Sequence, residues 1–320
     1  MARHRATSRL GPTPGLIRPS RALGVALVAA LLVGACSSAV STPAPKPSIV
    51  VTYTVLGAVV KDLVGDAADV TVLMPNGADP HEWEPSARDI EKVTHADLLV
   101  ENGLDLEGGM QNAFDQAEKA GVKRFIAADH ITIRKVGAGE GADPADPDQA
   151  PGAPDPHLWM DPLTMKDMVA ALAVQVKTDL GIDLAARATD VENGLTTLDG
   201  EIATILQVVP EGRRSLVTGH ESLGYLADRY GFTLVGAIIP GLSTQAEPTA
   251  AELAALAGKI RAQGVKAIFT ELGTSPAVAD AIGRETGAKV VELTTHGLPD
   301  DGLYATFMKN IATLVADNLR

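Results

Sequence analysis

The sequence predicts an α/β fold in which helices cover mainly parallel sheets, and it predicts that architecture twice along the chain. The first observation is a repeated alternation of short β-branched runs with helical patterns. The second is composition: 46% of the residues are hydrophobic but only 3% are aromatic, so Ala, Val and Leu carry the core, as suits helices packed on buried strands. The third is a long apolar stripe in mid-chain, with the alternation resuming after it.

In the first half, strands are expected at Ile49–Tyr53, Val70–Met74, Asp97–Glu101 and Lys123–Ala127. The intervening stretches read as helices: the segment through Val64, then Ala87–His95 and Leu106–Ala120. A helix over Leu163–Leu180 follows. Leu184, Ala188, Val191, Leu195, Leu198, Ile202 and Ile205 then recur at alternating spacings of four and three, which places one stripe on one helix face. About 25 residues at a rise of 1.5 Å make a rod of roughly 37 Å, long enough either to cover one domain or to connect two. The second half offers strands at Arg214–Thr218, Phe232–Ile238, Val265–Thr270 and Lys289–Leu293. Its helices are expected at Ser222–Tyr230, Thr249–Gln263, Pro276–Thr286 and Tyr304–Leu319.

The first 35 residues differ from the rest. Five arginines and no acid precede an apolar run from Ala22 to Val33, the pattern of a secretory signal. The run is shorter than the roughly 20 apolar residues that span a bilayer. It ends in Leu32-Val33-Gly34-Ala35-Cys36, which resembles a bacterial lipobox and implies cleavage before Cys36 and lipidation of that residue, the only cysteine. Residues 36–48, rich in Ser, Pro and Ala, then read as a lipidated tether from membrane to folded body. Removing residues 1–35 takes the formal charge from −13 to −18, which argues against a nucleic-acid partner and suits a cation binder. Residues 137–156, rich in Gly, Pro and Asp, are expected to form a surface loop.

Beyond His4 there are six histidines. His81 follows a predicted strand, in Gly77-Ala78-Asp79-Pro80-His81-Glu82-Trp83. His157 precedes a predicted helix, in Asp155-Pro156-His157-Leu158-Trp159. His220 stands at a strand end, in Thr218-Gly219-His220-Glu221. Asp301 precedes the last helix. In open α/β sheets ligands collect at the carboxyl ends of strands, and neutral imidazoles with a carboxylate suit zinc and similar ions. No local spacing makes a zinc motif, so the residues alone do not define a ligand set. His95 and His130 read as structural, and His296 as a surface loop histidine.

Seven segments together resemble the cluster A-I substrate-binding lipoproteins of bacterial zinc and manganese ABC importers. They are residues 55–66 (VLGAVVKDLVGD), 74–110, 155–162 (DPHLWMDP), 216–231, 247–256, 268–272 (IFTEL) and 300–311. The resemblance implies an N-terminal α/β lobe (49–183) and a C-terminal α/β lobe (209–320), each with a mainly parallel four-stranded sheet, joined by a long rigid connecting helix (184–208). It further implies one metal between the lobes, held by His81, His157, His220 and Asp301, with Glu221 and Glu271 as supporting groups. The implied protein is not an enzyme. It is an extracytoplasmic, lipid-anchored monomer that captures Zn2+, with Mn2+ as the alternative, and delivers it to an ABC permease and its cytoplasmic ATPase. A zinc-dependent hydrolase is the alternative of another class, although no HExxH is present.

Overall fold

A computed structural model of the chain describes residues 45–137, 140 and 150–320. The signal peptide, Cys36 and most of the tether lie outside the described residues, as does most of the acidic loop. Two parallel sheets of four strands account for the α/β class. The first contains β1 (Ser48–Val51), β2 (Asp69–Val72), β3 (Leu98–Glu101) and β4 (Lys123–Ile126), in the order β2-β1-β3-β4. The second contains β5 (Ser215–Thr218), β6 (Thr233–Ala237), β7 (Ala267–Thr270) and β8 (Lys289–Glu292), in the order β6-β5-β7-β8. The two orders are the same, so each sheet has a crevice at the carboxyl ends of its two central strands, where the winding reverses direction.

Helices α1 (Thr54–Val64), α2 (Ala87–Thr94) and α3 (Gln111–Ala120) belong to the first half; α6 (Gly224–Tyr230), α7 (Ala250–Gln263) and α8 (Pro276–Thr286) belong to the second. Local chemistry marks several of their ends. Ser86 and Asp89 form a capping box at the start of α2, and Thr249 and Glu252 form another at α7. Left-handed glycines at Gly121, Gly231, Gly264 and Gly287 terminate α3, α6, α7 and α8.

Two expected helices begin late, for physical reasons. The stretch expected from Leu106 becomes regular only at Gln111, because Leu104 and Asp105 have positive φ and Glu107 turns its carboxylate inward. That carboxylate accepts from the Thr52 hydroxyl at 2.7 Å and from the Asn102 backbone N–H at 2.8 Å. The stretch expected from Ser222 starts at Gly224, since the Ser222 hydroxyl is committed to Glu271.

Helix α4 (Pro162–Leu180) begins with Asp161 as cap and Pro162 in its first turn, and α5 (Ala185–Leu206) follows. The 22 residues of α5 span roughly 33 Å. It packs on α4 and on the closing helix α9 (Tyr304–Leu319). One apolar cluster runs from Ile49, Leu98 and Phe125 through Met168, Leu195 and Ile202 to Phe307, Ile311, Leu216 and Phe269. The two sheets therefore share a continuous core, and the outer face of the second sheet is covered by a smaller cluster around Ile260, Ile268 and Ile282. A shared core resists opening, because separating it would expose apolar surface at about 25 cal/mol per Å2.

Candidate metal centre

Three loops converge between the sheets. His81 lies in the loop after β2, His157 just before α4, and His220 two residues beyond β5. Gly219 lets β5 end there: a Cβ at that position would collide with the Thr274 hydroxyl and the Glu271 backbone. His157 and His220 are 0% exposed and His81 is 5% exposed.

Their Nε2 atoms meet at one point. His157 Nε2 lies 3.3 Å from that of His81 and 3.2 Å from that of His220. Zinc–nitrogen bonds of roughly 2.0–2.1 Å in a tetrahedron place neighbouring donors roughly 3.3–3.4 Å apart, so the spacing is that of a coordination shell. The tautomer of His157 follows from its surroundings. Its Nδ1–H donates to Asp155 Oδ1 at 2.8 Å, leaving the Nε2 lone pair directed into the cluster.

The supporting groups form a second layer. The other oxygen of Asp155 accepts from Arg134 at 3.2 Å, and the guanidinium also pairs with Glu140 and Asp228. Gly224 makes room for this arrangement, since a Cβ there would strike both Arg134 and Asp155. Glu271 Oε2 lies 3.6 Å from His220 Nδ1 and accepts from Ser222 at 2.5 Å and Thr295 at 2.6 Å. Trp159 packs edge-on against His157, and its indole N–H donates to the Thr295 carbonyl at 3.1 Å.

Burial sets the protonation states. It pulls the pKa values of His157 and His220 well below the ordinary histidine value, helped by the neighbouring rings, and it also lowers that of His81. These rings are neutral at pH 7 and ready to ligate. Burial pushes Asp155 up to about 6, against the pull of the His157 N–H and Arg134, and pushes Glu271 up to about 7.

The structure corrects two expectations. Asp301 does not reach the cluster. It is exposed, and its oxygens accept from the Leu303 N–H at 3.0 Å and the Thr306 hydroxyl at 2.7 Å, which fastens the start of α9. A short acidic side chain placed before a helix is drawn to the free N–H groups there, and that attraction operates here. His296, expected at the surface, is 5% exposed; it stacks on His220 with ring centroids 5.5 Å apart and meets His81 edge-on at 6.1 Å. The available signal was its position four residues past β8, matching the strand-end context of the other histidines.

Glu271 stands beside His220, whereas the buried Glu221 carboxyl makes no hydrogen bond among the described residues; burial raises its pKa to about 7. His95 hydrogen-bonds within its own helix at the Glu91 carbonyl, and His130 stacks on Phe125.

Residues 49–317 match the family profile described as ZnuA, zinc-uptake complex component A, periplasmic. The chain belongs to the ZnuA family. The high-affinity zinc uptake system protein ZnuA of Bacillus subtilis is 30% identical over 314 residues, covering 92% of this chain and 97% of that protein. The zinc-binding lipoprotein AdcA of Streptococcus pneumoniae is 29% identical over 271 residues, 83% of this chain; the chain spans 53% of that protein's length. The iron ABC transporter substrate-binding lipoprotein MtsA of Streptococcus pyogenes is 26% identical over 312 residues, with 92% and 96% covered. Among solved structures, the periplasmic zinc-binding protein TroA of Treponema pallidum superposes with a TM-score of 0.74 at 25% identity, covering 86% of this chain and 99% of that one. ZnuA-family membership and this superposition agree with the two parallel sheets described above.

Proposed function

We propose that the protein is the capture component of a zinc importer: it binds Zn2+ from outside the cell through His81, His157 and His220 and passes it to an ABC permease driven by a cytoplasmic ATPase. The observation that carries this reading is the meeting of three buried imidazoles, in which His157 Nε2 lies 3.3 Å from His81 Nε2 and 3.2 Å from His220 Nε2. The ion is cargo, and no chemistry is performed on it. Three imidazoles supply borderline donors that favour zinc over the harder manganese ion, which prefers carboxylate and water oxygens. Asp155 stands one hydrogen bond behind His157, where it fixes that ring's orientation, and Glu271 lies 3.6 Å from His220 Nδ1.

The lipobox at Cys36 supports a lipid anchor on the outer face of the membrane, and the relatives named lipoproteins point the same way. None of the described helices is long and apolar enough to cross a membrane. The hydrolase alternative lacks support, since rings that are 0–5% exposed leave no approach for an ester or peptide.

The deciding experiment is zinc titration of metal-free protein with His81, His157 and His220 replaced singly by Ala. Tight one-to-one binding by the parent and weakened binding by each variant are expected; parent-like titrations in all three would reject the reading.

A further inference from the structure

Past Glu101 the chain leaves β3 at Asn102, which is fully buried, and every polar group of this residue is engaged. Its backbone N–H donates to Glu107 Oε1 at 2.8 Å, and its carbonyl accepts from the Ala128 N–H at 2.9 Å. Its side-chain oxygen accepts from the Tyr53 hydroxyl at 2.8 Å. A carboxamide has two N–H donors, and both are committed. One goes to the Gly103 carbonyl at 3.0 Å and the other to the Pro156 carbonyl at 2.9 Å.

The bond to Pro156 crosses from the end of the first sheet to the Asp155-Pro156-His157 turn. Arg134 and Tyr225 also hold this turn, but they reach it at Asp155. Asn102 reaches it at the residue joined directly to His157. A second route runs beside the first: the Tyr53 ring lies 5.1 Å from that of Trp159, which in turn packs on His157 at 5.3 Å.

Asn102 is itself fixed from behind. Gly103, Leu104 and Asp105 have φ of 85°, 57° and 55°, a region that side chains disfavour. This reversal returns Glu107 to the strand end, where its Oε1 accepts from the Thr52 hydroxyl as well as from Asn102. Gly103 is needed there, since a Cβ would strike Ile126. Backbone held in a disfavoured region persists only where its surroundings over-determine it, and such sites cluster where a functional group must be placed accurately.

We propose that Asn102 is a positioning residue for His157: held by Glu107 and Tyr53, its carboxamide grips the Pro156 carbonyl and so sets where the imidazole stands relative to His81 and His220. Asp155 governs how that ring is turned, and Asn102 governs where the turn carrying it lies. The consequence for zinc rests on the function proposed above; the consequence for the metal-free turn does not.

The test compares Asn102→Ala with Glu101→Ala in the full chain. Glu101, one residue earlier on β3, is also buried, but its carboxylate pairs with Arg124 at 2.7 Å. Both variants should lower Tm. Only Asn102→Ala should weaken zinc binding, by about tenfold, the low end of what a group supporting a ligand contributes. Only Asn102→Ala should alter the absorption band of bound cobalt(II), which reports ligand geometry. Tyr53→Phe keeps the ring against Trp159 and removes the hydroxyl; it should weaken zinc about threefold, as loss of one ordinary hydrogen bond allows. Parent-like zinc affinity and cobalt band in Asn102→Ala refute the role. So does an equal loss in Glu101→Ala, which would mark a general loosening of the sheet. If Asn102→Ala does not fold, Tyr53→Phe decides by the same criteria. Finally, a crystal structure of the metal-free variant should show the Asp155-Pro156-His157 turn displaced and His157 Nε2 farther than 3.3 Å from that of His81; an unmoved turn overturns the proposal. That readout needs no metal, so a parent that fails to bind zinc sinks the proposed function while the displacement still decides the role of Asn102.

Discussion

Asp79-Pro80-His81 and Asp155-Pro156-His157 are the same tripeptide, and they fold into the same local turn. In each, the Asp Oδ1 accepts the N–H of the histidine two residues on, at 3.0 and 2.9 Å. What surrounds the two turns differs. Around His157 the contacts come from the interior: Asp155 receives the ring Nδ1–H and the Arg134 guanidinium, Tyr225 donates to the Asp155 carbonyl at 3.3 Å, and Asp155 and His157 are 0% exposed. Around His81 they come from rim loops of the opposite half, through Thr244 and Gln245. The difference teaches that one histidine is built into the core while the other is held by contacts that can be released. An ion that must be both captured and surrendered needs both kinds.

That comparison can be broken most severely at the fixed ligand. His157→Ala is expected to lower zinc affinity by more than about 100-fold, beyond what loss of a supporting partner alone costs. Isothermal titration would show it, and a loss under tenfold would mean that His157 is not the anchor. Next comes the partner behind each turn. Asp155→Asn should weaken zinc by about 10–100-fold, because the ring loses its orienting acceptor, and Asp79→Asn should cost less at equilibrium. Equal losses would erase the distinction between core and rim.

A smaller effect concerns the metal-free protein and pH. The unfolded chain protonates His157 and His220 below about 6.5 while the folded chain resists, so these rings remove stability as pH falls through that value. Asp155, raised to about 6, and Glu271, raised to about 7, act oppositely: the folded state holds protons that the unfolded chain does not take up until about pH 4, so they add stability as pH falls. Replacing both rings by Gln should therefore make the change in Tm between about pH 7.5 and 5.5 more favourable than in the parent. Thermal melts with a chelator present would read this, and a less favourable change would contradict the neutral-ring assignment. The smallest effect belongs to Asp301→Ala, which should leave zinc affinity unchanged and slightly lower Tm through the looser start of α9. A marked loss of zinc binding would return Asp301 to the ligand set.

Much of this was legible in the residues. The alternation from Ile49 to Leu319 located all eight strands to within a few residues, because buried parallel strands demand short β-branched runs and the helices over them demand a period near 3.6. The apolar stripe from Leu184 to Ile205 became α5 for the same reason. Where prediction missed, a side chain had left the local pattern to serve a distant partner, as Glu107 does for Thr52 and Ser222 for Glu271.

The sequence by itself determined the individual strands, the helices, the two Asp-Pro-His turns and the strand-end placement of His220, all of which rest on local patterns along the chain. Only the tertiary structure decided which side chains meet in one cluster. Asp301 and His296 are five residues apart in one loop, yet one caps a helix in solvent and the other stacks on His220 in the interior. Which of them faces the cluster depends on how the loop after β8 packs against residues more than 70 positions away, and no local spacing encodes that.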